Sequence, residues 1–577
     1  MSANPDHPLT ERAVPLRDPK LSLGGHSIAG LKPENQDAFA ARAGDPVQSY
    51  YKGQIAALAD GVSSASHAAA AAQLAVCDFI CDFQDTPPSW STGRSAAKVL
   101  DGINRFMLSR SAEQQWLTTF SAVILKSHTA FLLQVGDSRI ARLRDGKLEI
   151  LTQSHQRQLG QRQVLTRALG ADPHLEVDLS QTELEVNDLF LLTSDGVHDF
   201  ISSQAFEKLL ADAPLQTDLE RLSRTLVKQA LANGSDDNLS CLLVRVDALP
   251  DSDRASLDQA LYQRRIPPVL KPGQKLDGFE ILEVLHASPR SHLYRARDSA
   301  TGQEWALKAP SANFEDDPLY LQAFIHEAWI GSQFRHPNLM KTQPAPADSP
   351  FLYLLCEPIE GQSLRQWMQD HPKPSLAQCR PILTQAVSAL RAMQRLDMVH
   401  RDLKPENLMI DHQGQLKLVD FGATAVASLS ERADRLDEEC AQGSAHYTAP
   451  ESILALSADH RSDQFSLGVI AYEMLTGELP YPGKASKQKR EEWRYLNVQQ
   501  HRSDLPYWLD EVLRRAVGVS PEQRYPAFSD LLTDLTQPSP ALLQARQARP
   551  LLQRDPVRFW QWLALGLGLL NLVQWLS

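Results

Sequence analysis

Between Leu21 and Asp247 short apolar runs alternate with polar breaks, at Ile55 to Ala59, Phe120 to Leu125, Ala130 to Val135, Arg139 to Leu143, Leu189 to Thr193 and Leu239 to Val246. Short runs with a period of two bury one face of a strand, so residues 21–247 are predicted to be strand-rich. Ala68 to Phe83 and Leu219 to Ala232 repeat apolar positions at helical spacing without breakers. Helices should therefore cover the sheets, giving an α/β/β/α sandwich. Residues 275–536 begin with strand-like segments and then turn mostly helical. Residues 1–20 are polar and proline-containing, the pattern of a flexible arm, and the proline-rich, charged residues 248–274 form a linker.

The last pattern is Phe559 to Leu576, eighteen mostly apolar positions within residues 558–577. As a helix it would reach about 27 Å against a hydrocarbon core of about 30 Å. Trp560, Trp562 and Trp575 lie near its ends, and Arg546, Arg549, Arg554 and Arg558 stand in or beside the basic linker of residues 537–557. Aromatic anchors and a positive flank predict one C-terminal transmembrane helix, a tail anchor in the inner membrane with the folded blocks in the cytoplasm. Asn571 could instead pair two such helices in self-association.

At 577 residues the chain is too long for one core. Its net charge of −12 gives no basic field, so no nucleic acid is expected as a partner. Six cysteines are scattered without CxxC pairs, which fits a reducing compartment. Cys77 and Cys81, one helical turn apart with no further ligand nearby, are expected to be a packed core pair, not a zinc site.

Acidic residues punctuate the ends of the apolar runs: Ala59-Asp60-Gly61-Val62, Gly136-Asp137-Ser138, Ser194-Asp195-Gly196 and Ser235-Asp236-Asp237-Asn238, with Asp37 earlier. Carboxylates crowded at one sheet edge repel unless hard cations neutralise them, and oxygen-only ligands select magnesium or manganese over zinc. These segments, with Thr118-Thr-Phe-Ser121 and Leu165-Thr-Arg-Ala-Leu-Gly170, resemble the metal-dependent (PPM) protein phosphatases from about Gly24 to Val246. The resemblance implies two or more Mg2+ or Mn2+ ions. Asp60 would bridge two of them, with Asp195 and Asp237 on one ion and the Gly61 carbonyl on the other. Asp37 would orient the attacking water, and Asp137 with Asp195 would hold a weaker third ion. Lys32 stands where many members carry an arginine for substrate phosphate, a point charge in place of a bidentate fork.

The second block carries Val399-His-Arg-Asp-Leu-Lys-Pro-Glu-Asn407, Asp420-Phe-Gly422 and Ala449-Pro-Glu451, with Trp305-Ala-Leu-Lys308 upstream. In this order they resemble the eukaryotic-like serine/threonine kinases, a bilobal α+β fold that uses ATP with Mg2+. The resemblance implies that Lys308, paired to Glu327, holds the α and β phosphates. Asp402 would orient the substrate hydroxyl, and Lys404 would offset phosphoryl charge. Asn407 and Asp420 would ligate magnesium. Leu285 and Leu293 would flank adenine. Between them His286, Ser288 and Ser291 occupy the three usual glycine positions of the phosphate loop, which predicts weak ATP binding.

The expected whole is a bifunctional kinase and phosphatase acting on Ser/Thr residues of proteins and their phosphorylated forms, which could oppose its own autophosphorylation. A different reading keeps the phosphatase active and makes the second block a pseudokinase that binds ATP or a partner and regulates it.

Overall fold

The computed structural model describes residues 18–43, 46–110, 115–159, 162–211, 218–250, 264–314, 317–346, 349–430, 446–453, 459–482, 493–540, 542–543 and 559–567. Most of the arm and linker, the basic stretch 544–558 and residues 568–577 lie outside them. The chain divides into two units, residues 1–257 with 426–435, and residues 258–425 with 436–577.

The first unit holds two five-stranded sheets. One runs in the order Lys20–Ile28, Leu239–Ala248, Leu189–Thr193, Arg139–Arg144, Lys147–Ile150, and the other Asp178–Glu183, Thr129–Val135, Phe120–Lys126, Gln54–Asp60, Asp37–Arg42. The pleat explains the layering. In Gln54–Asp60, Ile55, Ala57 and Ala59 face one way and pack with Phe79, Phe83 and Leu100 of the helices Ala68–Asp85 and Thr92–Arg110. Ala56 and Leu58 face the other way and meet Phe190, Leu192 and Val244 of the opposite sheet. A third apolar layer joins Leu191 and Leu243 to Leu226 and Val227 of the helix Leu219–Ala232. The α/β/β/α order expected from the periodicities is the order found.

The second unit opens with a six-stranded antiparallel sheet in the order Lys275–Leu276, Phe279–Ala287, Ser291–Asp298, Glu304–Pro310, Leu354–Cys356, Thr342–Pro344. The helix Pro318–Ser332 accompanies it, started by an Asp317 side chain that accepts from the Tyr320 N–H and by proline in its first turn. Leu376–Arg395, His460–Thr476, Tyr507–Ala516 and Phe528–Thr536 form the helical part. Ser375 and Gln378 close a capping box on the first of these. Buried Glu451 receives both terminal nitrogens of buried Arg524 at 2.7 Å.

Two expectations fail here. Among the described residues no helix is long and apolar enough to cross a membrane. The described tail helix covers only residues 559–567, about 14 Å of rise and half a hydrocarbon core. The transmembrane tail anchor is therefore withdrawn from the fold, and with it anchoring in the inner membrane. Cys77 and Cys81 are exposed on their helix and are not a core pair. The apolar face that the helix buries is Ala68, Ala71, Ala72, Ala75, Val76, Phe79, Ile80 and Phe83, one step round from both cysteines.

Candidate active sites

In the first unit backbone pairing assembles the acidic site. Asp37, first in its strand, lies directly opposite Asp60, last in the next. Thr118 and Thr119 fix Asp60: the Thr118 hydroxyl and the Thr119 N–H donate to its carbonyl, and its own N–H donates to Thr119 Oγ1 at 2.9 Å. Gly61 has no room for a side chain, since a Cβ there would fall 2.5 Å from the Ala68 carbonyl oxygen. Asp195 begins the short helix Asp195–His198 directly after a central strand. Ser194 beside it donates to Asp37 Oδ2 at 2.9 Å and accepts the Ser240 N–H. Asn238, next to Asp237, accepts the Gln36 N–H and donates to the carbonyls of Ala29 and Glu34, tying its own loop to the loop of residues 29–36. Lys32 Nζ is 3.4 Å from Asp237 Oδ1. Asp137 sits in the turn between two strands, where Gln156 Nε2 donates to its Oδ2 at 2.5 Å.

Asp60 and Asp195 are thus each within electrostatic reach of Asp37, Asp137 and Asp237. Burial, and then Asp37, Asp195, Asp137 and Asp237, push the Asp60 carboxyl well above its usual range. Burial raises Asp37 to about 6, and burial with Asp137, Asp237 and Asp37 raises Asp195 to about 7. Burial also raises Asp137. Asp37 Oδ1 is buried without a hydrogen-bond partner among the described residues. As the side chains stand, no three His, Cys, Asp or Glu among the described residues are arranged to hold an ion. The chemistry of the donors still suits one: they are oxygens only, mutually repelling, with an orphaned acceptor among them, as hard divalent cations require.

In the second unit Lys308 Nζ contacts Glu327 Oε1 at 2.7 Å and Oε2 at 2.8 Å. Burial works against the Lys308 ammonium, but the carboxylates of Glu327 and Asp420 outweigh it and raise its pKa. Burial opposes the Asp420 carboxylate too, and Lys308 and His400 outweigh that, lowering it. Both Lys308 and Asp420 are therefore held charged. Lys404 Nζ donates to Asp402 Oδ2 at 2.6 Å, and Asn407 Nδ2 donates to the Asp402 carbonyl at 2.9 Å and to Oδ2 at 3.3 Å. Arg401 and Asp420 hold left-handed backbone, with φ of 67° and 65°. Such strain persists only where the surroundings enforce it. At Arg401 buried Asp463 does so, accepting the N–H groups of His400 and Arg401 at 2.8 and 2.9 Å.

The glycine-free loop is closed on itself. The Ser288 N–H and hydroxyl both donate to the Ser291 carbonyl, and Ser288 Oγ accepts the N–H groups of Ser291 and Arg290. Amides expected to face phosphate are thus spent inside a turn, which Tyr320 ties to the neighbouring helix by donating to the Arg290 carbonyl. Leu293 pairs directly across from Lys308. Leu285 is the exposed extra residue where the register slips between Val284 and His286.

Comparison with known proteins matches residues 25–234 to the family profile "Protein phosphatase 2C" and residues 288–540 to "Protein kinase domain". The chain is a phosphatase 2C and protein kinase fusion. Its kinase domain is similar to the serine/threonine-protein kinase PrkC of Bacillus subtilis, 28% identical over 272 residues, covering 46% of this chain and 41% of that one. It is also similar to the serine/threonine-protein kinase PknB of Mycobacterium leprae, 29% identical over 274 residues, covering 46% and 43%. The chain spans about two fifths of the length of these curated relatives. A solved structure of PppA from Pseudomonas aeruginosa is 23% identical, covering 40% of this chain and 98% of that one, with a TM-score of 0.34.

The positions singled out in sequence therefore gather into two groups, one in each domain. Sequence reading missed the residues that hold them: Thr118, Thr119, Ser194 and Gln156 in the phosphatase domain, and Tyr320 in the kinase domain. Thr118, Thr119 and Ser194 lie inside quoted motifs, so adjacency was a usable signal there. Gln156 and Tyr320 act across the fold and carry none.

Proposed function

We propose that the chain transfers phosphate from ATP to Ser/Thr hydroxyls of proteins and hydrolyses phosphoserine and phosphothreonine in proteins. The observation that carries the kinase half is the convergence of Lys404 and Asn407 on Asp402, with the Lys308–Glu327 pair formed. Asp402, contacted by Lys404 Nζ at 2.6 Å, is placed to accept the proton of an incoming hydroxyl. The Lys404 ammonium would then meet the phosphoryl oxygens as charge moves onto them. Lys308, fixed by Glu327, offers one positive charge to the α and β phosphates. Asn407 and Asp420 are the candidate magnesium ligands. A pseudokinase is the weaker reading, because none of the charged positions is lost.

In the phosphatase domain Asp60, Asp195, Asp237 and the Gly61 carbonyl would hold the two central divalent ions, and Asp137 with Asp195 a third. Bound there, Mg2+ or Mn2+ would lower the pKa of water and balance phosphoryl charge. The chain's own residues supply the rest. Asp37, anchored by Ser194, presents an unfilled acceptor that can orient water. Lys32 is near enough to Asp237 to place an ammonium on substrate phosphate. The phosphatase could reset phosphate that the kinase places on the chain itself. Hydrolysis of p-nitrophenyl phosphate by the purified chain should require Mn2+ or Mg2+ and disappear in Asp60→Asn. Hydrolysis undiminished in that variant would remove the phosphatase half of the reading.

A further inference from the structure

The turn Gly136-Asp137-Ser138 carries the Asp137 carboxylate, and one side chain outside the acidic site grips it. His155 is buried at 8% exposure and pairs with Gly136 in both directions. Its N–H donates to the Gly136 carbonyl at 2.9 Å, and its ring Nδ1 lies 3.1 Å from the Gly136 N–H. A backbone N–H can only donate, so Nδ1 is an acceptor and the ring proton sits on Nε2. Nε2 lies 3.0 Å from Asp178 Oδ2, the acceptor this tautomer needs. Arg167 Nη1 donates to the other oxygen, Asp178 Oδ1, at 2.8 Å, and Nη2 of the same guanidinium pairs with Glu176. The 3.4 Å approach of Arg167 Nη1 to Nε2 is then a neighbour contact, not a hydrogen bond. The hydrogen bond from His155 and the Arg167 charge hold the Asp178 carboxyl below its usual range, so it stays an acceptor.

The turn has little other freedom. Gly136 has a φ of 105°, and a Cβ on it would fall 2.6 Å from Thr119 Cγ2, so its backbone cannot be reproduced by another residue. Gln134 Nε2 donates to the carbonyls of Gly136 and Ser138. The next residue after His155 is Gln156, whose side chain donates to Asp137 Oδ2. A shift of His155 would therefore move Asp137 twice, through Gly136 and through Gln156.

We propose that His155 is the positioning residue of the Asp137 carboxylate, held in its Nε2–H tautomer by Asp178 and Arg167 so that Nδ1 fixes the turn. The proposal rests on the phosphatase reading in which Asp137 helps to bind the third, weaker ion. Residues that orient metal ligands commonly change metal affinity by about 10- to 100-fold when removed.

The test uses the full chain with Mn2+ as probe. Mn2+ binding is followed by calorimetry, and p-nitrophenyl phosphate hydrolysis is measured as a function of Mn2+ concentration. His155→Ala should weaken the weakest Mn2+ site, and raise the half-activating concentration, by about tenfold, leaving the tighter sites in place. His155→Asn keeps an acceptor near the Nδ1 position and should recover most of that loss. Arg167→Ala, at the exposed end of the relay, should give a smaller shift and covers the case in which His155→Ala does not fold. In the His155→Ala/Asp137→Ala pair the effects should not add, since both act on one site. Additive effects, an unchanged Mn2+ dependence in His155→Ala, or failure of His155→Asn to recover would overturn the proposal. A parent chain that neither binds Mn2+ nor hydrolyses substrate would instead remove the phosphatase reading beneath it.

Discussion

Lys308 Nζ sits between both carboxylate oxygens of Glu327, at 2.7 and 2.8 Å, although the two residues are 19 positions apart on different elements. Glu327 is nearly inaccessible, at 3% exposure, so neither charge can be removed without stranding the other. A charge-assisted hydrogen bond is worth about 1.5–3 kcal/mol, or roughly ten- to a hundredfold in an equilibrium or rate. Glu327→Gln should lower kcat/KM for ATP in phosphotransfer by that factor, measured with a generic acceptor protein. No change would mean that the pair does not hold the lysine for the reaction.

The closed serine turn makes a prediction opposite in sign to a simple loss of contacts. Ser288 Oγ accepts the amides of Ser291 and Arg290. Ser288→Ala frees them to meet phosphate, so KM for ATP should fall severalfold while kcat stays near the parent value. A rise in KM would show that the turn, as closed, is the form that binds nucleotide.

Much of this arrangement is legible in the sequence, for physical reasons. The sandwich follows from the pleat, because Ile55, Ala57 and Ala59 must face away from Ala56 and Leu58. The charged residues are legible because each stands in a short, ordered motif. What stays hidden is the support, because a donor such as Gln156 reaches its acceptor 19 residues away through a fold that no local pattern encodes. The tail misled for a different reason. Apolar length measures what a helix could span, and the described helix is only residues 559–567.

The acidic cluster should cost stability when no metal is bound. Burial, and then the neighbouring carboxylates, raise the Asp60 pKa, as burial raises Asp37 and Asp195. A group whose pKa is raised by folding contributes stability below its unfolded value and loses it as pH rises through the folded value. For Asp37 and Asp195 the loss extends up to about pH 6–7. Asp60→Asn removes one buried charge, so in chelator its phosphatase domain should melt a few degrees above the parent at pH 8, with a smaller gap at pH 5. An equal or lower melting temperature in the variant would contradict this.

Glu451 and Arg524 behave in the opposite sense. Burial opposes the Glu451 carboxylate, but the hydrogen bonds and charge of Arg524 prevail and hold it below its usual range. Its contribution is therefore present above the unfolded carboxylate value and is lost as pH falls through the folded one. Glu451→Gln, which leaves Arg524 buried without its counter-charge, should cost about 3–5 kcal/mol at pH 7. The gap in denaturant midpoint between parent and variant should shrink below about pH 4. A gap independent of pH would assign the loss to packing instead of charge.

The central claim is that one chain both adds and removes phosphate. Its most direct test is incubation of the purified full chain with γ-labelled ATP and Mn2+, following label retained on protein. The account predicts more retained label in Asp60→Asn than in the parent, none in Asp402→Asn, and none in the double variant. Label retained by the double variant at the level of Asp60→Asn would contradict it.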